Sequence, residues 1–372
     1  MHIAVDAMGI KHSGGATVLL DFLNAAVIDD RISRISIFCS PRAKRNFDLA
    51  KLPKVREYEQ SAAENSYLLR ILWFEKQLGK QCRQIDAAAL LCLVGAGKAS
   101  PSLHHVTFVQ QSLPFLEGYR KTLRTKDQVR LLVLERLMSR SCKSAAAIIV
   151  QTPTMKTDLS QRFGIPPGRI KVAMPNAGSI SRQTTQPTTT RFLSGPGPNL
   201  LFVGNDAAYK NVDVVFRSMV QLRSVFPEAT LCVTWPKDHP AAQYEGVQCL
   251  GYLSKPALAQ SYREATCLVM PSLIETVGLP MLEAMSIGLP VLAADRPYAH
   301  DVCENAALFF DPLSTADFVR TASALLGNDA LQLILMARGK ALMQRREQET
   351  PYLKMLDAVV AAAGKRQQGP WL

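Results

Sequence analysis

The stretch Glu275-Thr276-Val277-Gly278-Leu279-Pro280-Met281-Leu282-Glu283 decides the fold of this chain. It follows an apolar run at 267–270 that predicts a buried strand, and the residues at 280–287 predict a helix that begins with proline. Gly278 permits a tight turn between the two elements. The free N–H groups of such a helix start form a site for a diphosphate. Glu275 and Glu283 flank this start, and their carboxylates are acceptors for the hydroxyl groups of a sugar.

Short strand patterns alternate with longer helical patterns on both sides of this stretch. The chain is therefore predicted to be an α/β protein, with parallel sheets covered by helices on both faces. Strands are predicted at 3–6, 35–39, 88–94, 106–109, 147–150, 170–173, 199–203, 230–233, 247–250, 267–270, 290–293 and 307–310. Helices are predicted at 17–28, 64–80, 127–143, 154–163, 212–225, 280–287, 314–326, 329–346 and 352–363.

The segment 179–198 interrupts this alternation because it is rich in Ser, Thr, Pro and Gly. It predicts a linker between a Rossmann-like domain at 1–178 and a second one at 199–346. A length of 372 residues suits about two domains. Ligands of such sheets lie beyond the carboxyl ends of the strands, so a cleft between two domains can hold two substrates.

The charge of the chain is unevenly distributed. The formal net charge is +12, and residues 1–178 hold all of the excess, with 26 Lys or Arg against 14 Asp or Glu. The densest basic segment, 120–143, also carries apolar residues at helical spacing, which predicts a basic amphipathic helix. Either this helix has a solvated face or it contacts an anionic membrane surface or a phosphorylated lipid. Nucleic acid is a weaker alternative, since no known nucleic-acid module is recognisable.

The region around 275–283 resembles the donor site of the retaining family-4 glycosyltransferases, whose two Glu residues form an E-x7-E motif. The resemblance extends over 199–326 and more loosely over the N-terminal half. It implies the GT-B fold, in which two Rossmann-like domains face each other across a cleft and the C-terminal helix, here at 347–372, returns to the N-domain. The domain at 1–178 would bind the acceptor, and the domain at 199–346 would bind a nucleotide sugar.

The same resemblance assigns roles within the motif. Glu275 would contact the donor sugar and Glu283 the ribose of the nucleotide. The backbone between them would line the sugar and the diphosphate. This part of the donor site consists of Thr276, Val277, Gly278 and Leu279.

Two further turns match donor-site positions of the family. The segment 202–211 ends a predicted strand, and Lys210 occupies the position of a cation that neutralises the leaving diphosphate. Asn205 stands where the family usually has Arg, so the leaving group depends more on Lys210. Tyr252 follows the strand predicted at 247–250 and corresponds to a turn that meets the nucleobase, although ordinary packing is an equal alternative for its ring.

The N-domain contributes candidate residues at two turns. Gly14 and Gly15 correspond to the Gly-rich loop of the family and are expected in the cleft wall, together with Gln111. Gln110 stands where many members have a His that reaches the donor sugar, and it is therefore the third catalytic candidate beside Glu275 and Lys210. His104 and His105 precede the strand and lie at its opposite end. An amide shuttles no proton at neutral pH, which suits a retaining reaction in which the leaving phosphate accepts the acceptor's proton.

These features predict a retaining hexosyltransferase that uses a UDP- or GDP-sugar and acts on a cell-surface polysaccharide or a lipid-linked acceptor. No cofactor and no metal are expected, because no Asp-x-Asp ends a strand and no His/Cys cluster has ligand spacing. The expected location is cytoplasmic, or peripheral at the inner face of the membrane through 120–143. A GT-B sugar-nucleotide 2-epimerase and a catalytically silent GT-B scaffold are the alternatives.

Overall fold

The computed structural model describes residues 1–10, 14–41, 49–60, 67–93, 104–116, 118–177, 192–193 and 195–364. The chain divides into two compact units. Unit 1 comprises Met1–Pro175 and Thr350–Leu372, and unit 2 comprises Asn176–Glu349. Most of the predicted linker at 179–198 lies outside the described residues, as do Lys11, His12 and Ser13 of the Gly-rich loop.

Unit 1 contains a parallel sheet of seven described strands in the order β3-β2-β1-β4-β5-β6-β7. The strands are β1 (His2–Asp6), β2 (Arg34–Cys39), β3 (Val55–Glu59), β4 (Ala89–Cys92), β5 (His105–Phe108), β6 (Ala147–Val150) and β7 (Ile170–Val172). The helices are α1 (Gly14–Ile28), α2 (Tyr67–Leu72), α3 (Leu78–Gln84), α4 (Tyr119–Thr122), α5 (Thr125–Ser144) and α6 (Pro153–Phe163). A π-helical segment, Trp73–Gln77, joins α2 to α3.

Helices cover both faces of this sheet because successive strand residues point to opposite sides. Ile3 and Val5 of β1 pack in one cluster with Phe22 of α1. Ala4 of the same strand belongs to a second cluster around Trp73. All-parallel sheets are buried in this way, which explains the almost continuous apolar runs of their strands.

The final described helix, α13 (Pro351–Gly364), belongs to unit 1 although it follows unit 2 in the sequence. Its buried residues pack in the same cluster as α1. Tyr352 Oη donates a hydrogen bond of 3.1 Å to Asp21, and Arg31 forms an ion pair of 2.8 Å with Asp357. The chain end thus covers one face of the N-terminal sheet.

Unit 2 contains a parallel sheet of six described strands in the order β10-β9-β8-β11-β12-β13. The strands are β8 (Asn199–Phe202), β9 (Thr230–Val233), β10 (Val247–Cys249), β11 (Cys267–Met270), β12 (Val291–Ala294) and β13 (Ala307–Phe310). The helices are α7 (Asp213–Val225), α8 (Lys255–Glu264), α9 (Leu279–Ile287), α10 (Pro297–Cys303), α11 (Thr315–Leu326) and α12 (Asp329–Glu347). Strands β8 and β11 are neighbours, so the loops that follow them meet at the carboxyl edge of the sheet.

None of the described helices is both long enough and apolar enough to cross a bilayer. All eight cysteines lie in described parts of the chain, where they are buried and form no disulfide bond.

Candidate active site

The turn that follows β11 is shaped by Gly278. This residue has φ of +70° and caps the N-terminus of α9, with Pro280 in the first turn. A Cβ at this position would lie 2.8 Å from Met281 Cε and 3.2 Å from Met270 Cε. Glycine is therefore favoured both by the left-handed backbone and by the close approach of its neighbours. Pro280 has no N–H, and the Met281 amide donates a hydrogen bond of 2.9 Å to Gly278 O, so this helix start offers an anion the Leu279 amide and the positive end of the helix dipole.

Lys210 and Glu275 form the ion pair at the centre of the site. Lys210 Nζ donates a hydrogen bond of 2.6 Å to Glu275 Oε1, and both side chains are almost buried, with 13% and 12% of their surfaces exposed. Burial works against the charge of the ammonium group, but the charge of Glu275, the nearby Tyr209 and the hydrogen bond offset it and raise the pKa of Lys210. The lysine is thus a fixed positive charge beside the start of α9.

Asn211 holds the turn around Lys210 in place, although no motif in the sequence assigns a role to it. It follows the 3₁₀ turn Ala208–Lys210 and adopts a left-handed conformation with φ of +54°. Its side-chain amide donates to the carbonyl oxygens of Pro271 (3.3 Å) and Pro312 (2.8 Å). Asn tolerates this backbone better than most residues, and that preference is the only sequence signal that indicated its position.

Glu283 lies one turn into α9 and contacts Tyr262 of α8. Tyr262 Oη donates a hydrogen bond of 2.7 Å to Glu283 Oε2. Burial raises the pKa of Glu283 to about 7, although the bond from Tyr262 and the charge of Lys255 act in the opposite direction. The tyrosine is fully buried, and no motif signalled this contact.

Asn205 and Tyr252 are more open to solvent than the ion pair. Asn205 is exposed, and its Oδ1 accepts a hydrogen bond of 3.4 Å from the Ala207 amide within its own turn. Tyr252 has 89% of its surface exposed. Trp235 connects their two turns: its indole N–H donates to Gly204 O at 3.0 Å, and its own carbonyl accepts from the Gly251 amide at 2.7 Å.

The N-domain candidates lie at the carboxyl edge of the sheet of unit 1. Gln110 Nε2 donates a hydrogen bond of 3.1 Å to Leu93 O, and its Oε1 lies 3.4 Å from the place that a Cβ on Gly15 would occupy. Gly14 and Gly15 begin α1. Gln111 Oε1 accepts a hydrogen bond of 3.3 Å from the Leu113 amide, which orders the following turn.

His104 precedes β5 and His105 is its first residue, so both histidines lie at the opposite end of the strand from this edge. His105 is buried and forms a hydrogen bond of 3.1 Å with Ser141 O of α5. Its environment gives it a structural role at the amino end of the strand. The assignment of Gln110 to the position of the family's histidine stays a prediction.

Asp6 is a buried acid at the carboxyl edge of the sheet of unit 1, and no motif in the sequence indicates it. Its Oδ1 accepts a hydrogen bond of 3.1 Å from the Met8 amide, and its Oδ2 has no partner among the described residues. Burial raises the pKa of Asp6 to about 7, and the Met8 bond and the charge of Arg70 lower it only in part. A neutral carboxyl group at this place is compatible with its apolar surroundings.

Within the described ranges, no group of three or more His, Cys, Asp or Glu residues is placed to hold a metal ion. Near the start of α9, Lys210 is the cation that pairs with Glu275. The absence of a metal requirement stays a prediction.

One known protein family matches a large part of unit 2. Residues 197–328 match the family model of Glycosyl transferases group 1. The matched range contains the ion pair, the start of α9 and the contact of Tyr262 with Glu283. The similarity to this family is therefore concentrated in the part of unit 2 that carries these contacts.

Relatives and solved structures point in the same direction. The O-antigen chain mannosyltransferase B of Escherichia coli is 26% identical over 235 residues, which cover 58% of this chain and 60% of that protein. The structure of WaaG, a glycosyltransferase involved in lipopolysaccharide biosynthesis, aligns with a TM-score of 0.71 at 15% identity over 99% of this chain and all of WaaG. HepE of Anabaena in complex with UDP and glucose aligns with a TM-score of 0.70 at 14% identity, over 96% of this chain and 99% of HepE. Together with the two parallel sheets, these alignments confirm the predicted GT-B fold.

Proposed function

We propose that this protein is a retaining glycosyltransferase that moves a hexose from a UDP- or GDP-sugar to a hydroxyl group of a polysaccharide or lipid-linked acceptor. The observation that carries the proposal is the nearly buried pair of Lys210 and Glu275, where Glu275 belongs to the turn that leads into the N-terminus of α9. The match of 197–328 to group 1 glycosyltransferases supports it. The relative from Escherichia coli is an O-antigen chain mannosyltransferase, which supports an acceptor of the polysaccharide class.

The geometry of unit 2 suits the departure of a nucleoside diphosphate. The start of α9 offers the Leu279 amide and the positive end of the helix dipole to the diphosphate. Lys210 adds a full charge, whose effect is large because the site is partly shielded from water. Glu275 orients the lysine and offers its second oxygen to a hydroxyl of the donor sugar. Glu283 accepts a hydrogen bond from a hydroxyl of the ribose.

The proposed retaining step relies on the groups described above. The proposal places the leaving phosphate as the acceptor of the proton from the attacking hydroxyl, since Gln110 supplies a hydrogen bond and no base. The diphosphate needs no metal in this scheme, because Lys210 and the helix start neutralise the charge that develops on it. Exclusion of water by domain closure would limit hydrolysis of the donor.

Substitution of the ion pair tests this assignment. Lys210→Ala and Glu275→Gln are each expected to lower kcat by about 10²–10³, the usual effect of removing one electrostatic stabiliser of a leaving group. The measurement is release of UDP or GDP in a screen of UDP- and GDP-hexoses with a glycan acceptor. Lys340→Ala and Glu228→Gln change exposed residues of the same unit and are the matched controls.

Three outcomes would contradict the proposal. Full transfer by both folded site variants would remove the ion pair from the reaction. Formation of an epimer from the sugar nucleotide alone would indicate the 2-epimerase alternative. Failure of the wild-type protein to bind any UDP- or GDP-sugar would favour a silent scaffold.

We also propose a peripheral location on an anionic membrane, with α5 as the contact element. The helix buries Leu131, Leu137 and Met138 against unit 1. Val129 and Leu132 point outward, with 55% and 45% of their surfaces exposed. An outward stripe of apolar and basic residues is typical of helices that lie in a membrane interface. The basic members of the exposed surface are Lys126, Arg130, Arg136, Arg140 and Lys143.

A further inference from the structure

A cavity of about 590 Å³ opens on the surface of unit 1. It lies between α5, α6 and the segment that follows β5, including the short helix α4. Its volume is within the range of sites that bind small molecules. None of the residues assigned to the donor site lines it, so the glycosyl-transfer chemistry leaves it unexplained.

One part of the lining is apolar. Leu113, Phe115 and Leu116 follow β5, and Leu131 of α5 is buried with only 8% of its surface exposed. Leu131 is the most buried residue of this wall, Arg120 is partly buried like Leu113, Phe115 and Leu116, and Lys121 is exposed. Apolar groups at the inner end of a cavity favour a hydrocarbon ligand by the area removed from water.

The other part of the lining is cationic. Arg162 pairs with Glu135 at 2.7 Å, which joins α6 to α5 and neutralises both charges. Arg120 and Lys121 lie side by side in α4 and form no ion pair with another described residue. The lining also contains Asp158, so it carries three cations and two carboxylates. The surplus charge is therefore on α4.

We propose that this cavity binds the phosphate end of an amphipathic lipid. The hydrocarbon chain would pack on Leu113, Phe115 and Leu131, and the phosphate would accept hydrogen bonds from Arg120 and Lys121. The proposal rests on the proposed function, because it takes this lipid phosphate as the carrier of the acceptor glycan. It assigns the carrier to a site on unit 1 that is separate from the nucleotide site of unit 2.

The position of the cavity favours a lipid over a soluble anion. Leu131 lines the cavity, and the same helix exposes Val129 and Leu132 next to it in the sequence. A membrane surface that contacts this stripe would present its phosphates to α4, directly before α5. A soluble anion such as a nucleotide would gain nothing from the apolar wall.

Binding of water-soluble lipid phosphates tests the proposal. Farnesyl phosphate represents isoprenoid carriers, dihexanoyl phosphatidic acid represents acyl lipids, and farnesol and inorganic phosphate are the single-feature controls. Calorimetry of the full chain should show binding of at least one lipid phosphate and at least tenfold weaker binding of both controls. The preferred chain identifies the lipid class.

Variants of the cavity locate the binding. Arg120→Ala with Lys121→Ala should weaken binding of the lipid phosphate at least tenfold. Leu116→Asp should do the same by placing a carboxylate beside the hydrocarbon chain of the lipid. Lys76→Ala with Lys80→Ala is the matched control, because it removes two exposed cations of unit 1 outside the cavity. UDP and GDP affinity should be unchanged in all of these proteins.

Unchanged lipid-phosphate binding by the α4 and Leu116 variants would overturn the site, as would equal affinity for inorganic phosphate. Failure of the proposed transferase activity is distinguishable from this result. If no sugar is transferred but binding of the lipid phosphate still depends on Arg120 and Lys121, the lipid site is confirmed and the proposed transferase reaction is wrong. If transfer to a lipid-linked acceptor is equally fast in the α4 variant, the lipid site is wrong.

Discussion

At the residue scale, Asp6 makes the free energy of unfolding depend on pH. Its pKa is 3.8 in an unfolded chain and about 7 in the fold, because burial disfavours the charged form. The folded state therefore binds the proton more tightly, and stability is lost as pH rises from about 4 to about 7. This loss is on the order of 4 kcal/mol for a shift of about three pKa units.

The variant Asp6→Asn should remove this dependence because an amide keeps the shape without the charge. We expect it to unfold at higher urea concentration than the wild-type protein at pH 8 and to differ little from it at pH 4. The measurement is urea unfolding at both pH values. Asp30→Asn, at an exposed position of the same unit, is the control. Equal pH dependence in the wild-type and Asp6→Asn proteins would contradict a buried, protonated Asp6.

Tyr262 sets the charge state of Glu283. Its hydrogen bond of 2.7 Å favours the carboxylate and lowers a pKa that burial raises to about 7. In Tyr262→Phe the pKa of Glu283 should rise further, so that the residue is mostly protonated at neutral pH. If the carboxylate accepts from ribose, the affinity for UDP or GDP should fall about tenfold at pH 7 and recover at pH 9.

The measurement for this variant is a calorimetric pH profile of nucleotide binding. Recovery at high pH distinguishes a change in protonation from simple loss of packing, which would weaken binding at every pH. Tyr244→Phe is the matched control because Tyr244 lies on the surface with 59% exposed. An unchanged profile would mean that Glu283 does not act through its charge.

At the element scale, the start of α9 depends on a left-handed glycine. Gly278→Ala should cost about 1–2 kcal/mol from the backbone alone. The added methyl group also approaches Met281 and Met270, so the turn is expected to shift and weaken nucleotide binding. Thermal unfolding and UDP or GDP affinity measure the two effects. Gly168→Ala is the control, since it has open space and an ordinary φ.

Most elements of both sheets could be predicted from sequence because buried parallel strands are short apolar runs. The strand β3 was missed, since its residues alternate with charges at the edge of the sheet. The helix α8 was missed for a different reason. Its buried face includes Ala257, Ala259 and Ser261, small residues that give no apolar signal.

The site was only partly predictable for reasons of topology and burial. The motif at 275–283 predicted an anion site at the start of α9, but the contact of Lys210 with Glu275 joins residues 65 positions apart. That contact depends on β8 and β11 being neighbours, an order that no local pattern specifies. Asp6 and Tyr262 gave no signal at all, since their importance comes from the depth of burial.

At the scale of the whole molecule, the net charge of +12 is a property of its N-terminal half. Some of these cations form ion pairs within unit 1: Arg140 pairs with Glu75 at 3.0 Å, and Arg162 pairs with Glu135 at 2.7 Å. Such surface pairs contribute little to stability. The cations without an acidic neighbour are the ones available to an external anionic surface.

Membrane binding should therefore depend on the outward stripe of α5 and not on charge alone. Lys126→Glu with Arg136→Glu should weaken sedimentation with vesicles that contain anionic phospholipid, and the loss should grow as salt is lowered, because screening is then weakest. Val129→Asp with Leu132→Asp should weaken it even at high salt, since insertion of the apolar pair is lost. Reversal of Arg217 and Lys340, exposed residues of unit 2, is the control for total charge. If that control weakens binding as much as the α5 variants, the protein is attracted by its overall charge and α5 is not the contact element.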